Sequence, residues 1–351
     1  MPAAFSGRRD ALPGLVACVL IAAVARGIGI ASGLGLETAI ALLLGLVVAM
    51  AGPIRAVVRA GATVAARVAL RVGITLLGAR LTLDQVVATG GSSLLAIVVV
   101  VGTALAIGVL LAPRLRVDHP LSWLIAVGMA ICGNSAILAL SPIVRAPHRD
   151  TAYAVSTITV FGLAGVLLLP AVATALGLPD AVLGTWAGLS VNDTAQVVAA
   201  GYAYSAPAGD VATIVKLTRN VAILPVLIGA AWALSRREGD ASRADVHPVV
   251  WVTRAVPWFV VGFVVMAALR TAGVLDATVG GATLADVLSV LAGLLILVAL
   301  AGVGLATDPR AMMGVGPRPF LLGAVLWLTI LAIGFALASA TAGGPAGSGL
   351  P

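Results

Sequence analysis

Long stretches without a charged side chain alternate with short polar segments along the chain. Five stretches contain no Asp, Glu, Lys or Arg, and they cover 85–113, 119–144, 151–179, 287–307 and 319–351. Each exceeds the ~20 residues that a helix needs to cross ~30 Å of hydrocarbon. The runs are continuously apolar and do not alternate with polar residues, so they predict membrane-spanning helices.

This pattern predicts an all-α polytopic transmembrane helical bundle that forms a single domain over 1–351. The predicted helices lie at 11–32, 37–52, 62–80, 91–113, 121–143, 151–176, 181–203, 209–234, 250–271, 283–306 and 318–341. The longest polar stretch, 235–248, is predicted as a cytoplasmic loop, and 342–351 as a flexible C-terminal tail.

Composition narrows the class of protein. Hydrophobic residues make up 61% of the chain and charged residues 10%, with a mean hydropathy of +1.14. Soluble domains are typically about half apolar and about a quarter charged. An ordinary soluble enzyme, a disordered chain and a nucleic-acid-binding protein are therefore excluded. The net charge of +7 comes from basic residues spread through short loops, which is typical of membrane topology signals.

The basic residues leave two topologies open. They form six clusters, which the positive-inside rule places in the cytoplasm. With eleven full spans, the cluster at 145–149 would face the outside. If 121–143 and 181–203 instead enter the membrane and return, all six clusters are cytoplasmic. The chain thus has eleven spans, or nine spans and two re-entrant segments, with the C-terminus outside in both cases.

The same two segments are interrupted by small and amide-bearing residues. Their sequences are GMAICGNSAILALSPIV at 128–144 and GLSVNDTAQVVAAGYAY at 188–204. Non-helical backbone at membrane depth is tolerated only inside protein or beside a water-filled cavity. A pair of interrupted helices is the best indication in a sequence of a transporter binding site.

In the first segment, Gly133 allows an unwound backbone, and Asn134 or Ser135 can cap the half-helix that follows. The free N–H groups and the positive dipole end of that half-helix would favour an anion. The alternative is close helix packing by small residues.

In the second segment, Asp193 lies between two uncharged runs. An acidic group at the bilayer centre costs ~2.5–3.5 kcal/mol on insertion scales, so we expect it to be paired, protonated or functional. Asn192, Thr194 and Gln196 add donors and acceptors beside it. A proton-exchanging Asp193 is one interpretation, and a structural ion pair or a helix N-cap is the other.

Basic residues provide possible counter-charges. Lys216 is the only lysine of the chain and shares a helix face with Arg219, so the two can pair with Asp193 or with a bound anion. Snorkelling to the interface is the alternative. Arg71 lies deeper than Arg67 and needs a partner or access to water.

Motifs of soluble catalysis are missing. The sequence contains no GxSxG, HExxH or P-loop motif, and its two cysteines have no metal-ligand spacing. We therefore expect neither an enzyme nor a bound metal or cofactor.

Several motifs are similar to those of a known family. They are LRVGITLLGARLTLDQV, SWLIAVGMAICGNSAILALSPIVRA, DTAQVVAAG, ATIVKLTR and GVGLATDPRAM. In order and spacing the chain resembles, over roughly 12–340, the YeiH family of bacterial inner-membrane proteins, which is named for sulfate export. The resemblance implies a multi-pass fold of the secondary-transporter type, built from inverted repeats, in the bacterial cell (inner) membrane.

The resemblance also implies site residues. Those in the interrupted-helix motifs are Gly133, Asn134, Ser135, Asp193, Thr194 and Gln196, and those in the basic motif are Lys216 and Arg219. Asn192 stands where many relatives carry a histidine. A coupling mechanism that uses this histidine would therefore not be shared by this chain. Ser141 replaces an acidic residue of some relatives.

The expected function is secondary transport of a small anion, with sulfate or an organosulfonate as the first candidates. The anion would lie between the half-helix N-termini at 133–136 and 192–195, neutralised by Lys216, Arg219 or Arg71. Asp193 would couple transport to a proton or sodium ion. A homo-oligomer is left open, and so are two other functions, a passive anion channel and a non-transporting scaffold or sensor.

Overall fold

The computed structural model describes residues 8–32, 37–238, 257–279, 281–307 and 317–342, and nearly all of them are helical. We number the α-helices in chain order. They are α1 (Arg8–Ser32), α2 (Glu37–Met50), α3 (Gly52–Val64), α4 (Leu70–Leu77), α5 (Leu83–Leu111), α6 (His119–Ala130), α7 (Asn134–Leu140), α8 (His148–Leu176), α9 (Asp180–Ser190), α10 (Thr194–Tyr202), α11 (Ala206–Val221), α12 (Ile223–Glu238), α13 (Trp258–Thr271), α14 (Leu284–Ala306) and α15 (Pro317–Ala342).

Seven helices within this part of the chain are long and apolar enough to cross a membrane. They are Ala11–Ser32, Val57–Arg80, Leu83–Leu111, His148–Leu176, Ala206–Ala230, Leu284–Ala306 and Pro317–Thr341. Three shorter apolar helices accompany them, at Glu37–Met50, His119–Ala130 and Trp258–Thr271. The predicted all-α polytopic bundle is confirmed.

The described residues form two compact units. The first takes its residues from Met1–Val87, Val198–Gly209 and Trp258–Arg310, and the second from Ala88–Val197, Asp210–Pro257 and Ala311–Pro351.

In the first unit, α14 packs against all of α1 to α4. Small residues bring these backbones together, as is common between membrane helices. A Cβ at Gly45 of α2 would lie 3.1 Å from the Cα of Gly304 in α14. Gly14 of α1 and Gly61 of α3 meet in the same way, and a Cβ on either would lie 2.7 Å from the Cα of the other. Larger side chains at these positions would separate the helices.

The second unit contains an apolar core to which α5, α6, α7, α8 and α15 contribute. Helix α15 packs against α6, α8 and α9. The indole nitrogen of Trp186 donates a hydrogen bond of 2.9 Å to the carbonyl oxygen of Leu331. Phe161 of α8 stacks on Phe320 of α15 with ring centroids 4.9 Å apart.

The helix boundaries differ from the predicted ones where the chain is broken. The segment 121–143 divides into α6 and α7, and 181–203 divides into α9 and α10. The segment 209–234 also divides, at Ala222 between α11 and α12. Pro225 explains that break, because it has no N–H to donate to the carbonyl of Val221.

Two further differences involve short elements. The predicted helix 62–80 begins earlier, at Gly52, and passes through a π-helical turn at Ala65–Ala69. A two-stranded antiparallel hairpin, Thr278–Val279 with Ala282–Thr283, precedes α14. Neither the turn nor the hairpin is long enough to leave a periodic pattern in the sequence.

Parts of three predicted segments lie outside the described residues. The predicted loop 235–248 is described only over 235–238, which end α12, and the predicted tail 342–351 only at 342, which ends α15. The first seven residues of the predicted helix 250–271 also lie outside.

Candidate functional site

The first break separates α6 from α7 and depends on a glycine. Helix α6 ends at Ala130, and α7 begins at Asn134. Between them Gly133 adopts φ +61° and ψ −119°, a region that side-chain-bearing residues rarely enter. The predicted unwinding at Gly133 is therefore present.

After this break the chain turns back towards α6. In an unbroken helix, Gly128 and Ile137 would be separated by roughly 13 Å along the axis. In the structure, a Cβ at Gly128 would lie only 2.9 Å from Cγ1 of Ile137. The segment is thus folded on itself, which favours the topology in which it is re-entrant.

The second break separates α9 from α10. Helix α9 ends at Ser190, and Val191 is extended, with φ −85° and ψ 136°. Helix α10 begins at Thr194. Oδ1 of Asp193 accepts a hydrogen bond of 2.9 Å from the backbone N–H of Ala195. Asp193 therefore occupies the N-cap position of α10, which the sequence left as an alternative to a coupling role.

The two breaks meet within the second unit. A Cβ at Gly133 would lie 3.5 Å from the backbone carbon and from Cβ of Asn192, and 3.1 Å from Cγ2 of Ile158. Residues that are far apart in the sequence are thus in van der Waals distance of each other. Both interrupted segments belong to one site.

Arg219 of α11 joins the ends of α6 and α9. Its Nε donates to the carbonyl oxygen of Ala130 at 2.9 Å, and one terminal nitrogen donates to that of Met129 at 2.6 Å. The other terminal nitrogen lies 2.6 Å from the carbonyl oxygen of Leu189 and 3.4 Å from that of Gly188. Arg219 is completely buried.

Lys216 lies one turn earlier in α11 and also joins the two interrupted segments. It contacts the residues that follow the last turns of α6 and α9. Its Nζ donates to the carbonyl oxygens of Ile131 at 2.7 Å, Val191 at 3.0 Å and Asn192 at 2.5 Å. An ammonium group has three N–H donors, so these bonds use all of them. Lys216 is also completely buried, which excludes snorkelling.

These contacts have a simple physical origin. The last carbonyls of a helix have no partner within it, and its C-terminal end carries roughly half a negative elementary charge. Two such ends face Lys216 and Arg219, so the cations replace water as their partners. This differs from the predicted contact of the basic pair with an anion, because the ammonium donors are directed at the backbone.

The side of the breaks that carries the half-helix N-termini is more accessible. Ser135 is exposed, and Asn134, Asp193 and Thr194 are partly exposed, whereas Gly133 beside them is buried. Within the described chain, the hydroxyl groups of Ser135 and Thr194 have no hydrogen-bond partner. The hydroxyl donors of Ser135 and Thr194 are therefore accessible beside the two breaks.

Amide side chains near the breaks have oxygens without a partner among the described residues. The residues concerned are Asn134, Asn192, Gln196 and Asn220. Such groups are rare in folded proteins and call for an explanation.

The surroundings of Asn192 and Gln196 include residues that the sequence did not single out. Nδ2 of Asn192 donates to the sulfur of Met129 at 3.1 Å. The side chain of Gln196 crosses to α8, where Nε2 donates to the carbonyl oxygen of Thr159 at 3.4 Å and Oε1 lies against Gly162. A glycine inside an otherwise regular helix was the available signal for Gly162.

Arg71 is the one predicted site residue outside this group. It lies on α4 in the first unit and is exposed. Its backbone carbonyl accepts a hydrogen bond of 2.9 Å from Thr75. The predicted role of Arg71 stays a prediction. Among the described residues, no group of three or more His, Cys, Asp or Glu side chains is arranged to hold a metal ion.

Comparison with known proteins identifies the family. The family model described as "Conserved hypothetical protein 698" matches residues 13–323. A UPF0324 membrane protein of Clostridium tetani is 34% identical over 274 residues, which cover 76% of this chain and 78% of that protein.

Two further relatives cover more of the chain. A UPF0324 membrane protein of Streptococcus pyogenes is 33% identical over 93% of this chain and 96% of its own length. One of Bradyrhizobium diazoefficiens is 32% identical over 93% of this chain and 92% of its own length. No solved structure matches the chain. The chain therefore belongs to the UPF0324 family of membrane proteins, which is the same family as the YeiH family that its motifs resemble.

Proposed function

We propose that this protein is a secondary transporter of a small anion in the bacterial cell membrane. The observation that carries the proposal is the meeting of two interrupted helices at Gly133 and Asn192, with buried cations on one side and accessible donors on the other. In transporters, substrate sites lie where discontinuous helices meet near the middle of the membrane.

The donors suit an oxyanion. The hydroxyl groups of Ser135 and Thr194 are accessible and unpartnered within the described residues. The first N–H groups of α7 have no intrahelical partner by the geometry of a helix, and in α10 the N–H of Ala195 is bonded to the side chain of Asp193. Sulfate and organosulfonates accept several hydrogen bonds through tetrahedrally arranged oxygens. With the resemblance to a family named for sulfate export, this makes them the cargo that we propose.

The buried cations set the charge of the site. Lys216 and Arg219 bring two positive charges into the buried interior, and the C-termini of α6 and α9 offset roughly one of them. Asp193 is in electrostatic contact with Lys216 and supplies a further negative charge when ionised. In this proposal the basic pair attracts the anion through the field of the site, and Asp193 is the coupling group.

Flux of labelled sulfate into proteoliposomes tests the proposal. We expect saturable uptake and counterflow. Loss of both hydroxyl groups, in a variant with Ser135→Ala and Thr194→Val, should raise KM at least tenfold, since a hydrogen bond to a charged group contributes ~1.5–3 kcal/mol. Ser156→Ala is the matched control, because that hydroxyl bonds only to Ala152 of its own helix.

The other outcomes distinguish the alternatives. Flux that does not saturate and single-channel currents would indicate a passive channel. Absence of flux for both sulfate and an organosulfonate would indicate a scaffold or sensor and would overturn the proposal.

A further inference from the structure

The position of Asp193 suggests how the anion is coupled to a second ion, and this inference rests on the proposed function. Oδ1 of Asp193 accepts the N–H of Ala195 at 2.9 Å, in the first turn of α10. That turn is where the proposed substrate anion would bind, since free N–H groups and the positive helix end favour negative charge there. The carboxylate therefore occupies the place of the substrate.

A second observation at the same point indicates a missing partner. Asn192 precedes Asp193 and is completely buried. Within the described chain its amide oxygen has no partner, and its amide nitrogen reaches only the sulfur of Met129, which is a weak acceptor. With the amide turned over, Oδ1 would face the sulfur, and Nδ2 would face the position that lacks a partner. In that orientation the amide N–H groups could donate to an anion beside α10.

The charge balance favours one occupant at a time. The groups that interact electrostatically with this site are Lys216 and Arg219 of α11 and the thiol of Cys132 in the first break. Two cations and the positive N-terminal ends of α7 and α10, offset by the C-terminal ends of α6 and α9, leave about two positive charges. An ionised Asp193 lowers this to about one. A protonated Asp193 leaves both for a doubly charged substrate such as sulfate.

We propose that Asp193 and the substrate anion are alternative occupants of the N-terminus of α10, so that the protein is a proton–anion symporter. A proton from water on the loading side binds a carboxylate oxygen of Asp193 and weakens its bond to the Ala195 N–H. The anion then takes that N–H. On the other side the anion leaves, the proton returns to water, and the carboxylate closes the helix end again.

Sulfate-linked thermal stabilisation of the purified protein tests this mechanism, because a ligand that binds the folded state raises Tm in proportion to its occupancy. In wild type, the affinity for sulfate should rise about tenfold between about pH 8 and about pH 5. Asp193→Asn resembles the protonated acid and keeps a good N-cap. It should bind sulfate with the higher affinity at both pH values.

Asp180→Asn is the matched control. Asp180 lies in the first turn of α9, the other half-helix of the same interrupted segment, and ten residues before its end at Ser190. This variant should follow the pH dependence of wild type. In proteoliposomes with a pH-sensitive dye inside, wild-type sulfate uptake should acidify the lumen, and uptake by Asp193→Asn should not.

These experiments distinguish a failure of the symport mechanism from a failure of the proposed function. If wild type binds sulfate equally at both pH values, or if Asp193→Asn binds it more weakly throughout, the competition is overturned and anion transport stands. If neither sulfate nor an organosulfonate stabilises wild type or crosses the membrane, both the proposed function and the symport mechanism are wrong. If Asp193→Asn fails to fold, the pH dependence of sulfate binding by wild type alone tests the competition between Asp193 and the anion.

Discussion

The ammonium nitrogen of Lys216 lies 2.7 Å from the carbonyl oxygen of Ile131, just beyond the end of α6. The same nitrogen lies 3.0 Å from the carbonyl oxygen of Val191, just beyond the end of α9. One side chain of a third helix thus holds two helix breaks together. Because Arg219 repeats the connection one turn later, the ends of α6 and α9 should move together.

Removal of this connection should destabilise the fold strongly. We predict that Lys216→Met, which keeps the length and apolar character of the side chain, lowers the free energy of unfolding by ~3–5 kcal/mol, the usual result of breaking a buried charge contact. Three buried carbonyl groups lose their donor, and we expect this loss to outweigh the relief of the repulsion between Lys216 and Arg219. Denaturant unfolding in detergent micelles measures the change.

A surface arginine is the control for Lys216. Arg114 is exposed in the turn after α5, and one of its terminal nitrogens donates to the carbonyl of Leu110 at the end of that helix. Arg114→Met should change the free energy of unfolding by less than about 0.5 kcal/mol. If Lys216→Met is as stable as this control, the carbonyl contacts do not support the fold.

The first break should require glycine. Gly133→Ala forces a side chain into a positive-φ conformation and places its Cβ 3.1 Å from Ile158, which should cost about 1–3 kcal/mol. Gly102→Ala, within α5, is the matched control, since no atom lies within 4 Å of the added Cβ. It should be neutral or slightly stabilising, because alanine is the better helix former. Equal thermal stability of the two variants would contradict the description of the break.

The contact between Gly162 and Gln196 should appear as an energetic coupling. A Cβ at Gly162 collides with Oε1 of Gln196, so Gly162→Ala alone should be destabilising. With Gln196→Ala in the same chain, the collision disappears and much of the loss should be recovered. A double-mutant cycle on unfolding free energies should give a coupling of about 0.5–3 kcal/mol. Strict additivity would show that the two residues do not meet.

The hydropathy of the chain and its small polar interruptions were sufficient to predict much of this fold. Charge-free runs identified the long helices, because only backbone hydrogen bonded within a segment is stable in lipid. Gly133 and Asp193 identified the two breaks. Glycine lowers the stability of a continuous helix, and a lone carboxylate is costly to bury in the membrane. The expected meeting of the two segments is present at Gly133 and Asn192.

The partners of the basic pair were beyond the reach of sequence reasoning. Lys216 and Arg219 were expected to meet a carboxylate or an anion, because charged side chains are recognisable in a sequence. Their partners are backbone carbonyls, which every residue possesses and which become acceptors only where a helix ends. The contact between Gln196 and Gly162 of α8 was missed for a similar reason, because it depends on tertiary packing.

We propose that an anion binds at the accessible N-terminal side of the two breaks. Thiol labelling of single-cysteine variants with a membrane-impermeant reagent tests it directly, after Cys18 and Cys132 have been replaced by alanine. Ser135→Cys and Thr194→Cys probe the site, and Ile137→Cys, at a fully buried position of α7, is the control.

We expect Ser135→Cys and Thr194→Cys to be labelled much faster than Ile137→Cys, and sulfate to slow both reactions about tenfold through occupancy of the site. Labelling of both positions at the rate of the buried control, or labelling that sulfate leaves unchanged, would contradict it.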